Sequence, residues 1–234
     1  MAAADPEARG AAMLPNARGG LANVADIRRL PPLPETADEL CAVAHDVGAD
    51  PSELRLGERA TERELKFLSD NGSLARYRTI HFATHGAMAG ALSEGFEPGL
   101  VLTPPVKASE QDDGYLSASE IAALKLDADW VILSACNTAA GNASDAEALS
   151  GLARAFIYAQ ARALLVSHWE VNSVATVKLI TTAVREAARS PTTGRAEALR
   201  RAMLSLIDTG EPQEAHPAYW APFVLVGEGA RGSS

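Results

Sequence analysis

The side chains best suited to nucleophilic chemistry are scarce in this chain. There are two cysteines, Cys41 and Cys136, and five histidines. Two of these residues stand out by where they fall. Cys136 ends the apolar run Trp130-Val131-Ile132-Leu133-Ser134-Ala135, and His85 ends the run Tyr77-Arg78-Thr79-Ile80-His81-Phe82-Ala83-Thr84, 51 residues upstream. Both runs read as strands, and in open α/β sheets ligands sit outside the carboxyl ends of the strands. A thiol and an imidazole at neighbouring strand ends make a nucleophile and its base, held by a rigid sheet. Gly86, directly after the histidine, leaves its backbone N–H free to approach a substrate. That N–H and the one at Cys136 are candidates for an oxyanion hole.

The remaining candidates are weaker. His81 and His85 share the spacing of H-E-x-x-H, but Phe82 stands in the glutamate position and the segment is a strand rather than a helix, so no zinc site is expected. His81 is read as a strand residue packing or hydrogen-bonding beside the site. His168 closes another strand on the same edge, which makes it a pocket-lining candidate. Cys41 lies inside an amphipathic helix and reads as filler. Trp169 and Trp220 beside strand ends either wall a cleft or pack in the core. The acidic stretch Glu110-Gln111-Asp112-Asp113 is expected to be a solvated loop. Neither GxxxxGK[ST] nor GxSxG occurs, so phosphate-loop and serine-hydrolase chemistry have no local support. No cofactor is called for.

The elements that must position these residues follow from periodicity. Residues 1–20, rich in Ala, Gly and Arg, read as a disordered tail. Leu30-Pro31-Pro32-Leu33-Pro34 is a stiff connector, since each proline fixes its own φ and disfavours helix in its predecessor. A helix is predicted from Glu35, with Leu40, Val43, Ala44 and Val47 on one face and Gly48 as its stop. Thr61 and Glu64 make a capping box for a helix through Leu68, and Ser117 and Glu120 make another for a helix through Leu126. Leu100–Thr103 is expected to be a strand, as half of a hairpin. Trp130–Ala135, a short and mainly apolar run, has the pattern of a strand buried on both faces of a parallel sheet. A helix over Glu147–Ala161, a strand over Ala163–Ser167, helices over about Ser173–Ala188 and Ala196–Ile207, and a strand over Phe223–Val226 complete the chain. Alternating strands and helices imply an α/β fold in three layers, α/β/α, around a mostly parallel sheet.

Composition narrows the function classes. Of 234 residues, 47% are hydrophobic and the formal net charge is −9, so the chain is expected to be a single cytoplasmic globular domain that binds no nucleic acid and inserts in no membrane. Two cysteines cannot build a disulfide scaffold or paired CxxC metal sites.

Caspases place their histidine about 50 residues upstream of a Q-A-C motif, and Ala135-Cys136 has that spacing from His85. The likeness goes further. His81-Phe82-Ala83-Thr84-His85-Gly86 and Leu133-Ser134-Ala135-Cys136-Asn137-Thr138 resemble the two signature blocks of the CHAT domain family. These are caspase-like modules related to separase that often accompany tetratricopeptide repeats. Leu33-Pro34-Glu35-Thr36 with Glu39, Gly151-Leu152-Ala153-Arg154-Ala155-Phe156, Ser167-His168-Trp169-Glu170-Val171 and Tyr219-Trp220-Ala221-Pro222-Phe223 resemble further family blocks, in the same order. The likeness runs from about Leu30 to Gly227.

The resemblance implies a caspase–haemoglobinase-like fold over residues 21–230 and a cysteine endopeptidase with Cys136 as nucleophile and His85 as general base. It implies a protein or peptide substrate and a repeat-containing regulatory partner. Separase-like relatives prefer a basic residue before the cleaved bond, which makes Asp145, Glu147, His168 and Trp169 candidates for the substrate pocket. Ser144 with Glu147 also reads as a helix capping box, which leaves both roles open for Asp145 and Glu147. Two positions depart from the family pattern: Ser173 stands where an acid is usual, and His168 where leucine is common. Family members also begin with one or more strands ahead of the proline connector. This chain either lacks them or keeps a first strand at Gly20–Val24. The alternative to an enzyme is an interaction module that keeps the fold without catalysis.

Overall fold

The computed structural model describes residues 8–9, 20–87, 97–134, 151–169, 171–190 and 192–230. In chain order the elements are β1 (Ala8–Arg9), α1 (Val24–Ile27), α2 (Glu35–Val47), α3 (Glu62–Asp70), β2 (Thr79–Ala83), β3 (Gly86–Ala87), β4 (Gly99–Val101), β5 (Tyr115–Ser117), α4 (Ala118–Ala122), β6 (Trp130–Ser134), α5 (Gly151–Tyr158), β7 (Ala163–Ser167), β8 (Val171–Asn172), α6 (Ser173–Arg189), α7 (Arg195–Thr209) and β9 (Phe223–Gly227).

The main sheet has the order β2-β6-β7-β9. Its first three strands are parallel, and β9 returns antiparallel to β7. The strand β6 is buried on both faces, and the side chains of its apolar run Trp130–Leu133 alternate between two cores as the two-residue period of a strand requires. Trp130 and Ile132 join Val43 of α2, Leu179, Ile180 and Val184 of α6, and Leu199 and Leu206 of α7. Val131 and Leu133 join Ile121 of α4 and Leu152 and Phe156 of α5, with Leu65 and Leu68 of α3 packed against them. Each such side chain, withdrawn from water, contributes on the order of 2 kcal/mol. Helices on both faces of a mostly parallel sheet make the three-layer arrangement expected, and the fold is caspase-like.

Local signals explain most element ends. Gly48 stops α2 with φ 70°, a left-handed conformation that costs glycine little, and its N–H returns to the carbonyls of Ala44 and His45. The Ser117–Glu120 box forms in both directions, with Glu120 Oε2 2.9 Å from Ser117 N and Ser117 Oγ 3.4 Å from Glu120 N. The helix it opens ends at Ala122, short of Leu126. At α3 half of the box forms: Thr61 Oγ1 accepts from Glu64 N at 3.1 Å, while the Glu64 carboxylate pairs with Arg55 at 3.0 Å.

Two expectations are corrected. Gly20–Val24 is not a strand, because Asn23 caps the single helical turn of α1 by accepting from Ala25 N. Ala22, Ile27 and Leu30 then pack on Ala87, Val101 and Tyr115, which belong to a separate antiparallel sheet ordered β3-β4-β5. Among the described residues β2 therefore pairs with β6 alone. The acidic stretch is solvated only in its first half, since Glu110 and Gln111 are exposed while Asp112 and Asp113 are buried. Asp113 accepts from the backbone of Ala22 (2.6 Å) and Tyr115 (2.9 Å), and Glu62 accepts from Asp113 N and Gly114 N. Buried backbone donors need acceptors, and these carboxylates supply them. Ala8–Arg9 pairs antiparallel with β8. Among the described residues no helix is long and apolar enough to cross a membrane.

Candidate functional site

The register of β2 on β6 sets the site. Ala83 pairs with Ser134, so the last paired residues lie two positions before His85 and Cys136 in the sequence. The two parallel strands thus end at the same level of the sheet. Cys136, Asp145 and Glu147 lie outside the described residues, so the geometry that follows is that of the histidine side.

His85 is held from behind. Its Nε2 lies 2.8 Å from the carbonyl oxygen of Pro31. A carbonyl can only accept, so Nε2 carries the proton and the lone pair of the neutral ring sits on Nδ1. Nδ1 is buried and has no hydrogen-bond partner among the described residues. That is the tautomer a general base needs if the nucleophile faces Nδ1. Pro31 suits the task because its own φ is locked and the following Pro32 holds its ψ extended, which fixes the direction of the carbonyl. Sequence reasoning identified the connector as stiff but missed this contact, which spans 54 positions.

Gly86 begins β3. The Val101 N–H donates to the His85 carbonyl at 2.9 Å while Gly86 pairs opposite Leu100. In that pattern the pair Gly86–Leu100 exchanges no hydrogen bond, so the Gly86 N–H points away from β4. It is thus not consumed by the ladder, as an oxyanion-hole donor requires.

Below the strand ends lies a buried polar group that sequence reasoning did not assemble. His81 and Ser134, on neighbouring strands, both face α2, and the fully buried Glu39 of α2 meets them. Ser134 Oγ donates to Glu39 Oε2 at 3.1 Å. His81 Nε2 stands 2.9 Å from Glu39 Oε1, an approach not in line with a ring N–H. The expectation that His81 serves beside the site thus acquires a partner. The strand period that turns both side chains toward the α2 face was available in the sequence, and Glu39 was part of a family-like block.

At the carboxyl end of β7, His168 is exposed and its N–H donates to the carbonyl of Pro222 at 2.9 Å. Trp169 beside it is 43% exposed. Both lie on the edge where β2 and β6 end. Trp220 instead packs against the α6–α7 core, with Nε1 bonded to the Ala215 carbonyl at 3.2 Å. A cavity of about 500 Å³ follows the outer edge of β2 between α2 and α3, with Pro31, His81 and His85 on its wall and Leu40, Val43, Leu65 and Leu68 along its sides. Among the described residues no group of three His, Cys, Asp or Glu stands close enough to hold a metal ion.

No curated protein matches this chain in sequence. The sequence model of the CHAT domain matches residues 3–228, nearly the whole chain. That family is caspase-like and related to cysteine peptidases, in keeping with a parallel sheet whose adjacent strands end before a histidine and a cysteine. The chain belongs to the CHAT domain family.

Proposed function

We propose that this protein is a cysteine endopeptidase of caspase and separase type, working through a dyad of Cys136 and His85. The observation that carries the reading is the β2–β6 register, which ends both strands two residues before these side chains. In the reaction, His85 Nδ1 takes the thiol proton as the sulfur of Cys136 attacks the carbonyl carbon of the scissile bond. The developing oxyanion is met by the N–H groups of Gly86 and Cys136. His85 then passes the proton to the departing amine, which leaves a thioester. A water molecule, giving up its proton to His85, attacks that thioester, and the acid product departs as the thiol is restored. The Pro31 carbonyl keeps Nε2–H in place through these steps and stabilises the charged ring, the part played by the third group of a triad.

The pocket is formed by Asp145, Glu147, His168 and Trp169, and its two carboxylates favour Arg or Lys before the cleaved bond. The domain acts in the cytoplasm on a protein or peptide substrate, under control of a repeat-containing partner. The test is cleavage of a peptide library by the wild type and by Cys136→Ala. Cleavage after Arg or Lys that disappears in the variant is expected. No cleavage by the wild type, or equal cleavage by both, overturns the reading.

A further inference from the structure

We infer that Glu39 is a positioning residue, its carboxylate bridging Ser134 and His81 so that the two strands carrying the dyad end at a fixed level. The inference rests on the peptidase reading above. Glu39 sits on the sheet-facing side of α2 and is fully buried, where an unpaired carboxylate is strongly disfavoured. Its two oxygens face two different strands: Oε2 accepts a hydrogen bond from Ser134 of β6 (3.1 Å), and Oε1 makes a 2.9 Å polar contact with His81 Nε2 of β2 that is not in line with a ring N–H. Ser134 precedes Cys136 by two residues, and His81 precedes His85 by four. One side chain on a third element thereby ties together the strand that leads to the nucleophile and the strand that leads to the base.

Stability alone does not call for a carboxylate here. The surrounding core of Val43, Ile132 and Leu165 is apolar, and a buried polar cluster replaced whole by apolar side chains of similar size is often as stable or more so, whereas removing one member of it is costly. Geometry does call for one. Small displacements of a reacting pair are costly, about 100-fold for 1 Å, and the Ser134 hydrogen bond together with the polar contact to His81 is more directional than apolar packing.

The experiment compares Glu39→Met, Glu39→Gln and Ser134→Ala with the wild type. It uses thermal unfolding, the alkylation rate of Cys136 by iodoacetamide read against the exposed Cys41, and kcat and KM on a peptide with Arg before the cleaved bond. Glu39→Met, which leaves Ser134 and His81 without their carboxylate partner, is expected to lower Tm while alkylation of Cys136 and kcat each fall about 10- to 100-fold, with KM within twofold. Gln, whose single amide oxygen can still accept from Ser134, restores part of both. Ser134→Ala, the removal of one atom, lowers kcat about tenfold and keeps the test alive if Glu39→Met does not fold. Variants that lose Tm but keep the wild-type alkylation rate and kcat would show a structural role only and overturn the inference. A wild-type Cys136 no more reactive than Cys41 would instead overturn the peptidase reading, and the inference with it.

Discussion

The substitution Glu62→Gln offers a quantitative test of the buried acidic cluster under α3. Glu62 is the first residue of α3 and 1% exposed. Its Oε2 accepts from the backbone of Asp113 (2.9 Å) and Gly114 (3.2 Å), and its Oε1 pairs with Lys66, which also bonds Glu120 at 2.8 Å. Burial pushes the Glu62 carboxyl up from 4.5 to about 7, with Lys66 and the Asp113 N–H pulling the other way. A carboxyl that holds its proton more tightly when folded favours folding at low pH. That contribution is whole below 4.5 and is lost as pH rises through 7. The difference of 2.5 units between 7 and 4.5, at 1.36 kcal/mol per unit, sets an upper bound of about 3 kcal/mol. Glu120, held low by Lys66 and Ser117, changes its contribution below 4.5 and thus outside the window. Asp113, pushed up by burial, is present in both proteins and cancels in the comparison. Urea unfolding of wild type and Glu62→Gln from pH 5 to pH 8 measures the difference. Wild-type stability should fall relative to the variant as pH rises, by up to about 3 kcal/mol. Parallel profiles would refute the assignment of a proton to buried Glu62.

Two further substitutions probe how the elements are closed. Ser117→Ala removes the reciprocal cap of α4 and should cost about 1 kcal/mol in denaturant unfolding. Gly114→Ala places a β-carbon 2.7 Å from Pro104 Cα at a φ of +84°, and a loss of about 2 kcal/mol or more is expected from the backbone conformation alone. A neutral result for Gly114→Ala would mean that the turn into β5 adapts freely.

Local pattern carried the architecture a long way. The four apolar residues Trp130–Leu133 of β6 and their flanking helices declare a doubly covered sheet, and Gly48 marks the end of α2 within one residue. What escaped the sequence shares one physical trait: it depends on contacts between distant segments. Nothing near Asn23 shows that Ala22 will meet Asp113, 91 positions away, and that contact decides against a first strand at Gly20–Val24. An acidic tetrad reads as solvated until the backbone donors around Tyr115 need acceptors. At the site, His85 was legible from a strand ending before glycine, whereas the carbonyl of Pro31 that sets its tautomer carries no side-chain signal at all. Glu39, His81 and Ser134 were each visible, and only the assembled sheet makes them one group.

The most direct test of the dyad is to map where an irreversible thiol-directed peptidyl inhibitor with Arg or Lys at its reactive end attaches. Mass spectrometry of the native wild type should find the label on Cys136 and not on the exposed Cys41. The label should vanish in Cys136→Ala and fall strongly in His85→Ala. Equal labelling of native and denatured protein, or labelling of Cys41 alone, would contradict a catalytic pair at the ends of β2 and β6.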